Sequence, residues 1–224
     1  FPTRRSSDLL EECRMNENCL TCTDCAVTNC ASKDKEYPEF CLTTSLSDIE
    51  LDAVVDLYIN NPENKKIAQA AAEVEGEFYC TITRVQEIIE FAKKIGAKKI
   101  GIASCVGLIN ESRIFSKILK KNEFEVYGVA CKVGAVEKKK IDIGDEYIKK
   151  PGESMCNPIM QAKLLDKAQT DLNVVIGLCV GHDSLFYKYT NTITTTLITK
   201  DRVLGHNPAV ALYTANSYYK KLLE

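Results

Sequence analysis

Four cysteines, Cys105, Cys131, Cys156 and Cys179, stand at positions where an α/β chain concentrates its chemistry. Thiolates are soft ligands that select zinc or iron–sulfur clusters, and they are the nucleophilic form of cysteine. Cys105, Cys131 and Cys179 each close a short apolar run, and Cys156 stands just before Asn157-Pro158, a helix-start signal. In open α/β sheets, ligands bind beyond the carboxyl ends of the strands, so these four thiols are expected to face one crevice. Cysteines that merely fill space as small hydrophobes would scatter along strands and helices; the placement therefore favours a shared metal or cluster site. Helix N-termini at that edge would supply N–H donors and positive potential, which lower thiol pKa values.

Both histidines map to the same edge: His182 follows Cys179 after two residues, and His206 heads the last predicted helix. Each could ligate metal, move a proton or satisfy local backbone groups. Asp183 reads as a helix cap or as an orienting partner of His182. Lys132, beside Cys131, is a candidate for stabilising negative charge or a solvated lysine.

A second constellation lies near the N-terminus, Cys19-x2-Cys22-x2-Cys25-x4-Cys30-x10-Cys41. A Cys-x2-Cys pair chelates because one tight turn presents both thiolates to one ion, and two more cysteines complete a tetrahedral site. Cys22, Cys25, Cys30 and Cys41 are the best four; Cys19 competes and Cys13 is spare. The Cys-x2-Cys-x2-Cys portion approaches ferredoxin runs, but the next spacing is four and no proline follows. Structural zinc and a [4Fe–4S] cluster both remain open here.

The chain has 224 residues, eleven of them cysteine, with two histidines, no tryptophan and a net charge of −2. An odd cysteine count in a reducing cytoplasm, the expected compartment, argues against a disulfide framework and for metal or thiol chemistry. Cys80 is expected to be a buried packing residue. The charge balance gives no case for nucleic acid. No apolar run approaches the roughly 18–20 residues of a membrane span. The stretch Phe1–Leu9 reads as a translated sequencing adapter and is set aside from fold reasoning. Nothing in the sequence states the oligomeric state.

These sites need a scaffold. Residues 10–44 are polar and cysteine-dense and read as a metal knuckle; residues 45–80 carry two linking helices, 48–60 and 64–75. From 81 to 224 the pattern alternates: helix 83–95, strand 99–105, helix 108–120, strand 124–131, an aperiodic excursion 133–154, helix 158–169, strand 172–179, helix 182–189, strand 193–198 and helix 209–223. Strands alternating with helices of this length imply βαβ units and a mostly parallel, doubly wound sheet. Cys105-Val-Gly and Cys179-Val-Gly echo each other, as do Cys156-Asn-Pro and His206-Asn-Pro.

Several blocks stand in one order: Cys22-Thr-Asp-Cys25, Tyr37-Pro-Glu-Phe-Cys41, Cys105-Val-Gly-Leu, Cys131-Lys-Val-Gly, Met155-Cys-Asn-Pro-Ile, Thr170-Asp-Leu-Asn, Gly177-Leu-Cys-Val-Gly-His-Asp-Ser-Leu-Phe and Lys200-Asp-Arg-Val-Leu-Gly-His-Asn-Pro. On these blocks the chain resembles the DUF1847 family of metal-binding proteins, from about Cys22 to the C-terminus. The resemblance implies an N-terminal cysteine metal motif on an α/β domain, and no particular reaction. Cys13 and Cys19 match no family pattern.

Three functions compete. The first is an iron–sulfur or related metalloprotein with redox or cluster-dependent chemistry at the sheet edge, serving a small-molecule substrate or an electron-transfer partner. The second is a non-enzymatic zinc-binding module for structure, sensing or storage, in which the edge cysteines only pack. The third is a thiol enzyme with His182 or His206 as base, which no nucleophile elbow or glycine-rich phosphate loop supports.

Overall fold

The computed structural model describes residues 20–224. The expectations for Phe1–Leu9, Cys13 and Cys19 lie outside the described residues. The described residues divide into two compact units, up to Gln69 and from Ala70 onward.

In the first unit, short helical turns α1 (Asn29–Ser32) and α2 (Leu42–Ser45) precede helices α3 (Asp48–Ile59) and α4 (Pro62–Phe78), the last crossing the division. The start of α3 follows from its capping box: Ser47 accepts from the Glu50 N–H, and the Glu50 carboxylate accepts from the Ser47 N–H at 2.9 Å. Asn61 caps the start of α4 by accepting from the N–H groups of Glu63 and Asn64, with Pro62 in the first turn.

The second unit is built on a four-stranded sheet in which every pair is parallel, with the order β2-β1-β3-β4. Its elements are α5 (Arg84–Lys94), β1 (Lys99–Ser104), α6 (Ile109–Lys121), β2 (Glu125–Ala130), α7 (Pro158–Lys167), β3 (Leu172–Ile176), α8 (His182–Tyr189), β4 (Thr194–Ile198) and α9 (Ala209–Tyr213). Strands β1 and β3 are almost wholly buried, as their unbroken apolar runs require of strands covered on both faces. One core cluster joins Ile100, Ile102, Leu172, Val174 and Ile176 to the apolar stripes of α5 and α6. The other packs Ala103, Val129 and Val175 against Ala162 and Leu165 of α7 and Phe186 of α8. The strand order reverses between β1 and β3, which makes their carboxyl ends the switch point of the sheet.

Three expectations need correction. Strand β3 stops at Ile176 because Gly177 turns into the left-handed region (φ +61°), so Cys179 lies three residues beyond it. The last helix ends at Tyr213, and only a 3-10 turn, Lys220–Leu222, follows. There the Ser217 hydroxyl and the N–H groups of Ser217 and Tyr219 all bond to the Thr214 carbonyl, replacing the helical ladder with local turn bonds. Cys80 is exposed, not buried. Among the described residues, no helix is long and apolar enough to cross a membrane.

Candidate thiol site

Cys105 and Cys131 are the first residues past β1 and β2, and their backbones continue the ladder. The Cys131 N–H donates to the Ser104 carbonyl at 2.8 Å, and the Cys105 N–H to that of Ile176 at 3.0 Å. Cys156 arrives from the other side of the excursion. The Asn157 N–H donates to the Cys131 carbonyl at 2.7 Å, and the Asn157 side chain caps α7 through the Met160 N–H. Cys105 and Cys131 are buried in one apolar cluster, with Cys156 packed against it.

The three thiols share charge. Cys131 sits between the other two and acts as their common hydrogen-bond donor. That bond is the chief reason Cys105 is pulled down to about 5, outweighing its partial burial; the Gly107 N–H, 3.4 Å from the sulfur, and the Lys200 ammonium add to the effect. Cys156 is lowered to about 6, again chiefly by Cys131, with Lys132 and His182 contributing positive charge. Cys131 is held far above the ordinary thiol range, because ionisation would remove the one proton that serves Cys105 and, in its turn, Cys156, and burial opposes it; the Val106 N–H, 3.4 Å from its sulfur, pulls the other way. One thiol has one proton, so Cys131 serves one acceptor at a time.

Cys179 keeps separate company. Arg202, in the loop after β4, donates to its sulfur at 2.9 Å. His182 begins α8, its N–H bonded to the Cys179 carbonyl at 2.9 Å. The Lys132 ammonium bonds the Ser154 carbonyl at 2.5 Å, in addition to its influence on Cys156. His206 is taken up by its own loop, with Nδ1 accepting from the Asp201 N–H at 3.1 Å. Asp183 accepts from the Ser184 N–H at 2.8 Å.

Of the N-terminal four, Cys22 opens a 3-10 turn capped by Thr21 and Asp24, and the Cys25 N–H donates back to the Cys22 carbonyl at 3.3 Å. Cys30 lies on α1, and Cys41 precedes α2. Among the described residues, no three His, Cys, Asp or Glu side chains are arranged around one metal position, and all nine cysteines are free.

Three participants were not singled out from the sequence. Lys200 and Arg202 follow β4, so the rule that placed the cysteines at strand ends also pointed to them. Gln161 gave a weaker signal: it lies one helical turn after Asn157. It donates to the carbonyls of Ser104 at 3.2 Å and Val129 at 2.7 Å, one residue before Cys105 and two before Cys131.

A family model described as "Protein of unknown function (DUF1847)" matches residues 41–197. An uncharacterized protein of Methanocaldococcus jannaschii is 53% identical over 167 residues, covering 72% of this chain and 82% of that protein. Among solved structures, the crystal structure of Dph2 from Pyrococcus horikoshii with a 4Fe-4S cluster aligns at 20% identity with a TM-score of 0.34; the alignment covers 63% of this chain and 33% of that one.

Proposed function

The chain belongs to the DUF1847 family, and we propose that it is a cysteine-ligated iron–sulfur protein whose working site lies at the carboxyl edge of the sheet. One observation carries this reading: Cys105, Cys131 and Cys156, from three separate segments, interact through their sulfurs at the carboxyl ends of β1 and β2, beside the switch point. The donor types suit an anionic cluster, although the three sulfurs are not arranged around one metal position in this structure. The ligands are soft thiols, and two of them already favour the thiolate. Backbone N–H groups of Val106 and Gly107 point at sulfurs, the contact by which proteins tune such clusters. Lys200 and Lys132 supply compensating positive charge.

Cys105, Cys131 and Cys156 would hold the cluster, with Cys179 and Arg202 beside it. When bound, the cluster would supply one-electron chemistry or a Lewis-acidic iron. Lys200 balances charge at Cys105. His182 stands near Cys156, where its imidazole can take or give a proton for a small-molecule substrate or during exchange with an electron-transfer partner. The Cys22, Cys25, Cys30 and Cys41 segment is assigned a separate metal, zinc or a second cluster.

The test is anaerobic purification with iron, sulfide and zinc analysis. A brown protein absorbing near ~400 nm is expected. The edge contribution to the absorbance and iron content should vanish in Cys105→Ala, Cys131→Ala and Cys156→Ala, and survive in Cys80→Ala. A colourless protein with full zinc occupancy, losing all metal in the Cys22→Ala/Cys25→Ala double variant, would establish the zinc-module reading instead.

A further inference from the structure

The edge strand β2 and helix α6 leave an open groove of about 510 Å³. Its floor is sheet: Ile102 pairs with Gly128 and Ser104 with Ala130 in the β1–β2 register. A Cβ placed on Gly128 would meet nothing within 4 Å, so the missing side chain leaves room that no neighbour fills. The wall is a single helical stripe, Ser112, Arg113, Ser116, Lys117 and Lys120, spaced three and four apart along α6. A helix laid over a sheet ordinarily turns apolar residues to it. Helix α6 does so with Phe115 and Leu119, and the neighbouring stripe over the sheet edge carries Ile109, two hydroxyls and three cations. Ser112 is satisfied by Ser104 at 2.5 Å and Arg113 bonds Asn110 at 3.0 Å, whereas Lys117 and Lys120 have no carboxylate partner among the described residues.

We propose that this groove binds an extended amphipathic organic anion, its apolar side lying on Val126, Gly128 and Ala130 and its carboxylate or phosphate groups meeting Lys117 and Lys120. The volume suits a small organic ligand, since such sites run from about 300 to 1,000 Å³. An apolar floor with cations along one wall selects molecules that carry both characters; a bare anion would leave the floor wet, and a neutral chain would leave the lysines unused. Alternation along the strands puts Ile102 and Gly128 on the face opposite Ala103, Cys105 and Cys131, which pack toward α7. The groove is therefore independent of the thiol chemistry and of any metal there.

The test is a titration of the full-length ¹⁵N-labelled protein with decanoate and with decyl phosphate, each below its micelle concentration, read by amide shifts. Shifts should concentrate at residues 112–120 and 126–130, and whichever probe binds tighter identifies the acid group. Gly128→Leu, which fills the floor, and Lys117→Glu/Lys120→Glu, which reverses the wall, should each weaken binding by about tenfold or more. Ser116→Leu serves as a second filling variant should Gly128→Leu fail to fold. Cys105→Ala/Cys131→Ala should bind as the unaltered chain does. Shifts absent from the groove, decanol binding as tightly as decanoate, inorganic phosphate binding as tightly as decyl phosphate, or affinity unchanged in a folded filling variant would each overturn the proposal.

Discussion

Gln161, in the first turns of α7, donates its amide to the Val129 carbonyl at 2.7 Å while its own Oε1 is buried with no partner among the described residues. Its second bond, to Ser104, makes one side chain the clasp between two neighbouring strand ends. The same helix begins two residues after Cys156, so this fully buried amide links the three segments that bear the site's thiols.

Replacing that clasp tests its worth. Gln161→Leu keeps the volume and removes two side-chain hydrogen bonds between the strand ends, although the Ser104 carbonyl keeps the Cys131 N–H as a donor. The expected loss is about 1–2 kcal/mol, the usual net worth of one or two buried hydrogen bonds. The lost burden of the unpartnered Oε1 offsets part of it. Urea unfolding of the reduced protein measures it; a variant as stable as the unaltered chain would show that the clasp contributes nothing.

The thiol triad makes stability depend on pH. Cys105 titrates at about 5 in the folded protein against an ordinary value of 9.0. Its folded pKa is depressed, so between those values the unfolded chain binds more protons and stability rises with pH. The contribution is complete above about 9 and is lost as pH falls toward 5. In metal-free, reduced protein, Cys131→Ala should flatten this slope and move the thiolate absorbance transition toward higher pH, because the shared donor is gone. Cys131→Ser, which keeps an O–H donor, should restore much of the low transition. Identical titrations of all three proteins would refute the shared-proton arrangement.

Gly177 turns the chain between β3 and Cys179. At φ +61° its Cβ would come within 2.0 Å of the Leu108 Cδ1 atom. Gly177→Ala should therefore destabilise by about 1–3 kcal/mol through overpacking and backbone strain. A thermal melt checks the magnitude, and an unchanged Tm contradicts the packing described.

Arg202 holds the loop after β4 on the Cys179 sulfur, but the guanidinium is exposed, and exposed pairs contribute about 0–1 kcal/mol. Arg202→Met should leave Tm nearly unchanged while raising hydrogen exchange across residues 200–207 and the alkylation of Cys179 by iodoacetamide. Exchange and labelling at the original rates would mean the contact does not anchor the loop.

The sequence by itself determined the local units of this protein. Unbroken apolar runs marked β1 and β2 to within a residue, and Asn157-Pro158 marked the start of α7, because strand period, cap and proline geometry act over a few neighbouring residues. Alternation of strands and helices determined the α/β class, and the strand ends singled out Cys105 and Cys131. Only the tertiary structure decided the order β2-β1-β3-β4, the union of Cys156 with those two thiols and the attachment of Arg202 to Cys179. It also decided that Gln161, which reads as an ordinary helical amide, is fully buried at the strand ends. The physical reason is range: propensity and periodicity are summed over adjacent residues, whereas a sulfur's partner or a buried amide's acceptor comes from segments tens of residues away, joined only when the sheet assembles.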